Sequence, residues 1–185
     1  MNNFEESYKL ILIGDEGVGK TSLLNKFMGI STTNIKHTVG IDYDSKIIDN
    51  DGTYVKLDIW DTSGNVKFRN VITSYFNNKD AIILLFDLTN LRSYQNIKHW
   101  ITLIYKYVDD PHIYIIGTKS DLFAIRVITN EMIDSIKEKY YYLETTITTS
   151  SSVNSAFYKI ISQIINKQTK IKKKSNLNNG CCVIL

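Results

Sequence analysis

Gly14-Asp15-Glu16-Gly17-Val18-Gly19-Lys20-Thr21 fits the spacing G-x-x-x-x-G-K-[ST]. That pattern suits the wrapping of a polyphosphate. Its glycines let successive backbone N–H groups curl around an anion, Lys20 can reach the β and γ oxygens, and the Thr21 hydroxyl can ligate Mg²⁺. Two later stretches bring carboxylates to matching places. Trp60-Asp61-Thr62-Ser63-Gly64 ends an apolar run with an aspartate and sets a glycine three residues on. Asp61 can hold Mg²⁺ through water, and the Gly64 N–H can approach a γ-phosphate. Thr118-Lys119-Ser120-Asp121 follows the run Ile113–Gly117. A carboxylate there can accept two hydrogen bonds from a guanine edge, which adenine does not offer in that arrangement, while the Lys119 stem lies along the base. The first motif alone suits kinases, ATPases and GTPases alike. In register, the three favour a guanine nucleotide, and the lack of an Arg-rich, lid-like segment argues against a kinase or ATPase.

The elements that must position these groups alternate along the chain. Tyr8–Gly14 reads as a strand and Lys20–Met28 as the helix after the loop, which is the context the motif requires. Tyr43–Asp49 and Thr53–Asp61 flank Asn50-Asp51-Gly52, a hairpin signal that predicts one antiparallel pair at a sheet edge. Ala81–Asp87 and His112–Gly117 are short and apolar enough to be buried on both faces, and a last strand is expected near Tyr141–Thr145. Tyr94, Ile97, Trp100, Ile101, Ile104, Tyr105 and Val108 mark one helix face. Val153, Ala156, Phe157, Ile160, Ile161, Ile164 and Ile165 mark another, and Thr129 can cap a helix over 131–140. The alternation predicts an α/β fold with a mainly parallel sheet.

The 185 residues suggest one domain of about 1–166 and a flexible basic tail over 167–185. The net charge of +3 is a property of that tail. Lys167, Lys170, Lys172, Lys173 and Lys174 account for five positive charges, and without them the body stands at about −2, which gives no reason to expect nucleic-acid binding. No apolar run approaches the ~20 residues of a spanning helix, and the acidic, polar start does not read as a signal sequence, so the body is expected to be soluble and intracellular. Both cysteines, Cys181 and Cys182, stand next to one another in the tail, where they cannot staple a fold.

Taken together, Lys9–Asp15, His37-Thr38-Val39-Gly40-Ile41-Asp42-Tyr43, Val55–Thr62 and Phe68–Phe76 resemble the Ras superfamily of small GTPases, and within it the Rab type. The resemblance covers about residues 7–166. It implies the small GTPase version of the P-loop NTPase fold: a six-stranded, mostly parallel sheet with one antiparallel edge strand and helices on both faces. By resemblance, Asp15, Glu16, Gly17, Val18, Gly19, Lys20, Thr21 and Ser22 surround the phosphates. Thr21 and Thr38 ligate Mg²⁺, and Asp61 holds it through water. Thr38 and Gly64 contact the γ-phosphate by backbone N–H, so that residues ~31–43 and ~64–76 form two switches loosened by hydrolysis. Lys20, Gly64 and Asn65 fall at the catalytic positions. Thr118, Lys119, Asp121, Thr146 and Ile147 receive the guanine base. Tyr43, Trp60 and Tyr75 match an aromatic trio read by effectors, although Trp60 could equally be ordinary packing. The implied ligands are GTP or GDP with Mg²⁺. The implied partners are an exchange factor, a GTPase-activating protein, effectors, prenyltransferase machinery and a carrier of the GDI kind.

Four departures from the family pattern bear on activity. Asn65 stands where the family has a glutamine that orients the attacking water, and it is shorter by ~1.5 Å of reach. Glu16 replaces a small residue, and a carboxylate ~5 Å from a γ-phosphate would repel it by about 3 kcal/mol at an effective dielectric near 20 unless it swings to solvent. The first switch lacks the aromatic that covers the guanine; Ile30 is the nearest apolar residue. Glu144-Thr145-Thr146-Ile147-Thr148 has Thr148 where the family has a lysine beside the base. The expected protein is therefore a GTP/GDP switch with weakened hydrolysis, serving vesicle trafficking on a cytoplasmic membrane face. The alternative is a GTP-binding module that scarcely hydrolyses.

Cys182-Val183-Ile184-Leu185 reads as a C-a-a-X box favouring geranylgeranylation, and Cys181-Cys182 also resembles the double-prenylation pattern of Rab proteins. Lys170–Lys174 would add a polybasic signal worth roughly 1 kcal/mol per lysine near an anionic surface. A peripheral, lipid-anchored protein on an endomembrane or plasma membrane is expected.

Overall fold

The computed structural model describes residues 4–31, 37–50 and 52–178. Its strands are β1 (Glu6–Gly14), β2 (Ile41–Asn50), β3 (Thr53–Thr62), β4 (Ala81–Asp87), β5 (Ile113–Thr118) and β6 (Tyr141–Glu144). Its helices are α1 (Lys20–Met28), α2 (Arg69–Thr73), α3 (Leu91–Gln95), α4 (Ile97–Tyr107), α5 (Asn130–Lys137) and α6 (Ser150–Asn178). The sheet order is β2-β3-β1-β4-β5-β6, and only the β2–β3 pair is antiparallel. The expected hairpin is present: Asn50 pairs with Thr53, and the Gly52 N–H donates to Asp49 Oδ1 at 2.7 Å; Asp51 lies outside the described residues.

Period-two alternation divides the core into two layers, one on each face of the sheet. Leu10 and Leu12 of β1 join Leu23, Leu24, Phe27, Phe157, Ile160 and Ile161 beneath α1 and α6. Ile11 and Ile13 join Trp100, Ile104, Ile133 and Ile136 beneath α4 and α5. Phe27 and Phe157 stack with ring centroids 3.9 Å apart, which fixes α6 against α1. The polar ends of the parallel strands then gather on one side of the sheet, where an open α/β fold places its ligands.

Three boundaries differ from the sequence reading. The apolar stripe from Tyr94 toward Val108 is carried by two helices, α3 and α4, that meet at Asn96, with Val108 as the residue just past α4. Thr129 does cap α5, accepting from the Met132 N–H, and the helix ends at Lys137 rather than 140. Finally, α6 continues past residue 166 to Asn178, across the stretch read as a flexible tail. The apolar period stops there, but no proline or glycine interrupts the backbone before Gly180. Cys181 and Cys182 lie outside the described residues. No helix among the described residues is long and apolar enough to cross a membrane.

Candidate nucleotide site

The loop between β1 and α1 turns the chain by using glycine where other residues would be strained. Gly19, at the start of α1, has φ 96° and so hands the chain into the helix with its first N–H groups turned toward the loop. Lys20 follows at 5% exposure, and its ammonium donates to the carbonyls of Gly14 (3.0 Å) and Asp15 (2.8 Å). Burial lowers its pKa to about 8. A cation held this deep, with only carbonyl oxygens as hydrogen-bond partners, is a receptor for an anion.

Across a cavity of about 260 Å³, lined by Glu16, Lys20, Thr21, His37, Thr38 and Gly64 among others, three oxygens converge. Thr21 Oγ1 donates to Asp61 Oδ2 at 2.5 Å, Thr38 Oγ1 donates to the same oxygen at 3.0 Å, and the two hydroxyls are 2.7 Å apart. Asp61 is 1% exposed, burial raises its pKa, and its Oδ1 is buried with no hydrogen-bond donor. An orphaned buried carboxylate oxygen beside two converging hydroxyls suits a hard divalent cation such as Mg²⁺. These residues would hold the cation, which when bound neutralises phosphate charge. No group of three or more His, Cys, Asp or Glu placed to hold a metal ion is found among the described residues.

Gly64 closes the opposite wall. A Cβ there would lie 2.2 Å from the Glu16 nitrogen and 2.3 Å from the Asp15 carbonyl carbon, both backbone atoms. Only glycine lets the strand-end loop touch the phosphate loop in this way. Asn65, next in sequence, does not aim its side chain freely into the cavity. Its Oδ1 accepts from the Lys67 N–H (3.0 Å) and caps the turn Val66–Phe68, and its Nδ2 faces Glu16 Oε2 at 3.5 Å. Glu16 Oε1 is 3.4 Å from His37 Nδ1, with the two side chains 52% and 86% exposed.

Asp15 lies in the loop, but its side chain looks outward. Its carboxylate is turned away from the phosphate cavity, accepting from Asn96 Nδ2 (2.5 Å) and Trp100 Nε1 (2.8 Å), with Arg69 at 3.9 Å. Its backbone carbonyl accepts from Lys20 within the loop. Asn96 and Trp100 were not legible as site residues because they lie on a helix face that reads as core. The available signal was the indole N–H, which needs an acceptor when buried.

A second cavity, of about 370 Å³, adjoins the first and is lined by Val18, Thr118, Lys119, Asp121, Leu122 and Ile147 among others. Thr118 Oγ1 lies 2.7 Å from the Val18 carbonyl and 2.9 Å from that of Phe86, tying the phosphate loop to β4 and β5. Asp121 Oδ1 accepts from Thr146 Oγ1 at 2.5 Å, and Thr146 Oγ1 is 2.9 Å from Thr148 Oγ1. The Thr146 N–H is bonded to Ser152 Oγ at 3.2 Å, and Ile147 rather than Thr146 lines the cavity.

Of the aromatic trio, Tyr43 lies against Trp60 with ring centroids 5.2 Å apart, and its hydroxyl donates to Asp58 Oδ1 at 2.6 Å. Lys79 sits 4.1 Å over the Trp60 ring, and Tyr75 is exposed beyond α2.

Comparison with known proteins agrees with this geometry. The Ras family model matches residues 9–166. Human Ras-related protein Rab-8B is 38% identical over 182 residues, covering 96% of this chain and 86% of its own length. Human Rab-37 is 39% identical over 168 residues (88% and 75%), and human Rab-26 is 37% identical over 178 (93% and 68%). The paired cavities, the converging oxygens and these matches lead to one assignment: the chain belongs to the Ras family and is a Rab-like small GTPase.

Proposed function

We propose that this GTPase is a GTP/GDP-dependent switch in vesicle trafficking, lipid-anchored on a cytoplasmic membrane face, whose intrinsic hydrolysis is weakened. The observation that carries the weakened hydrolysis is the engagement of Asn65. A side chain one methylene short of the family glutamine is also spent on the Lys67 N–H and Glu16. Lys20 would bind the β and γ oxygens. Thr21, Thr38 and Asp61 would hold Mg²⁺, Gly64 would offer its N–H to the γ-phosphate, and Asp121 would select guanine. Effectors would read Tyr43, Trp60 and Tyr75. Lipid at Cys181 or Cys182, supported by Lys170–Lys174, would provide attachment, since one lipid chain alone gives only marginal binding.

Single-turnover phosphate release from the purified GTP complex tests the catalytic part. The expected rate is below the ~10⁻⁴ s⁻¹ of relatives with an intact glutamine; an equal or faster rate refutes the weakened reading. Fractionation of Cys181→Ser with Cys182→Ser tests the anchor: the double variant is expected to be wholly cytosolic, and undiminished membrane association rules out prenylation. A second reading, a binding module without turnover, is favoured by the placing of Glu16 at the rim of the phosphate cavity, where its charge would repel the γ-phosphate and its side chain would stand in the path of an incoming arginine. It is distinguished by no phosphate release even when an activating protein is added.

A further inference from the structure

Lys119 combines two unusual features. It is a non-glycine residue with φ 60°, and its ammonium lies 2.6 Å from Asp87 Oδ2. Asp87 ends β4, pairs in register with Thr118 of β5, and has a side chain only 6% exposed. Its two carboxylate oxygens divide their work. Oδ1 accepts from the Thr89 N–H (2.8 Å) and Thr89 Oγ1 (2.7 Å), while Oδ2 faces Lys119. The residue is braced from behind as well, since its own N–H donates to Ser93 Oγ at 3.0 Å. A buried anion on a rigid strand end thus fixes the far end of a lysine whose stem borders the base cavity.

We propose that Asp87 is a positioning residue of the base site: by pinning the Lys119 ammonium it holds the lysine stem flat along the guanine ring. This inference rests on the guanine-nucleotide reading above and deepens it. It matters more in this chain than the motif alone would suggest. The segment between Gly29 and His37 contains no aromatic residue, and Thr148 offers no long stem. Among the described residues, the apolar contact lining the base cavity comes from the Lys119 stem with Val18, Leu23, Leu122 and Ile147. A stem of four methylenes stacks only if its free end is held, because an untethered lysine loses its rotamer freedom on binding.

Asp87→Asn keeps an acceptor for Thr89 but removes the charge facing Lys119. Release of fluorescent GDP in the presence of Mg²⁺ is expected to quicken about tenfold in this variant. Lys119→Met, which keeps an unbranched stem without the ammonium, is expected to quicken it comparably, and adding Asp87→Asn to Lys119→Met should change nothing further. Tripolyphosphate, which has no base, should bind wild type and Asp87→Asn equally. Asp87→Glu retains the charge and should release GDP at a rate between the two, which keeps the test open if the asparagine variant folds poorly. Release from Asp87→Asn at the wild-type rate overturns the proposal. So does full additivity with Lys119→Met, or an equal loss of tripolyphosphate binding, which would mark a structural role. Failure of the guanine reading itself would look different: wild type would not retain labelled GDP against ATP.

Discussion

The base and cation cradle and the rim of the γ-phosphate cavity are built to different standards. In the cradle, Asp61, Lys20, Thr118 and Asp87 are at most 5% exposed, and their contacts run from 2.5 to 3.0 Å. At the rim, Glu16 meets His37 at 3.4 Å and Asn65 at 3.5 Å, with the His37 and Glu16 side chains 86% and 52% exposed. Hydrogen bonds at the first set of distances and burials are strong and costly to break, whereas exposed contacts at the second are worth little. The cation and Lys119 supports are thus mostly buried and short, although Asp121 itself is exposed, whereas Glu16 and His37 beside the γ-phosphate cavity are loosely held. Substitution can weaken turnover while leaving capture intact.

The sharpest way to break this contrast is at Asp121. Asp121→Asn keeps one acceptor oxygen but sets its amide NH2 against the second guanine donor; with these two opposed donors left unpaired at about 1–3 kcal/mol apiece, guanine-nucleotide affinity should fall by roughly a hundredfold or more, with preference shifting toward xanthine nucleotides, whose extra carbonyl accepts from that amide. Competition binding measures it, and wild type should prefer GTP and GDP to ATP by a similar margin. Equal ATP affinity in wild type would mean the cradle is not a guanine site.

Next comes turnover. Asn65→Gln should raise assisted phosphate release, and Asn65→Gln with Glu16→Ser should raise it further, by tenfold to a hundredfold in all for a charge penalty of about 1.4–3 kcal/mol. If wild type already matches the double variant under single-turnover conditions, the rim is not impaired. A smaller effect concerns exchange. With no aromatic over the base, GDP release should be about tenfold faster than for relatives that have one, by analogy with the worth of a base–aromatic stack. A release half-time of many hours with Mg²⁺ present contradicts this. The smallest effect is on stability: Glu16→Gln, which removes the charge facing His37, should shift unfolding by less than ~1 kcal/mol in chemical denaturation. A larger loss would show the rim to be more tightly built than its geometry implies.

Much of this contrast could be read from the chain. The strand–loop–helix around Lys20, the hairpin at Gly52 and the Thr129 cap follow from local patterns of glycine, polar caps and apolar period, and each is found in place. Asp61 and Asp121 were legible because a carboxylate at the end of an apolar strand has few structural uses. What stayed hidden depends on side chains choosing among partners far away in sequence. Asp15 sits inside the phosphate-loop motif, yet its carboxylate faces Trp100 and Asn96. The Thr146 hydroxyl bonds Asp121, while Ser152 has claimed its N–H. The pairing of Asp87 with Lys119 requires two strands to be aligned, which no single-segment pattern conveys. The helical continuation of α6 to Asn178 shows the converse limit, since the end of an amphipathic stripe is not the end of the helix.

The placing of the two tryptophans has an optical consequence. Trp100 is buried, its indole N–H bonded to the Asp15 carboxylate and its ring 4.9 Å beneath the Arg69 guanidinium, while Trp60 lies on β3, facing Tyr43 and Lys79. One fluorophore therefore senses the link between phosphate loop and α2, and the other the aromatic surface beyond it. With each replaced in turn by phenylalanine, the remaining emission separates motion of the switch from occupation of its outer face, without any attached dye.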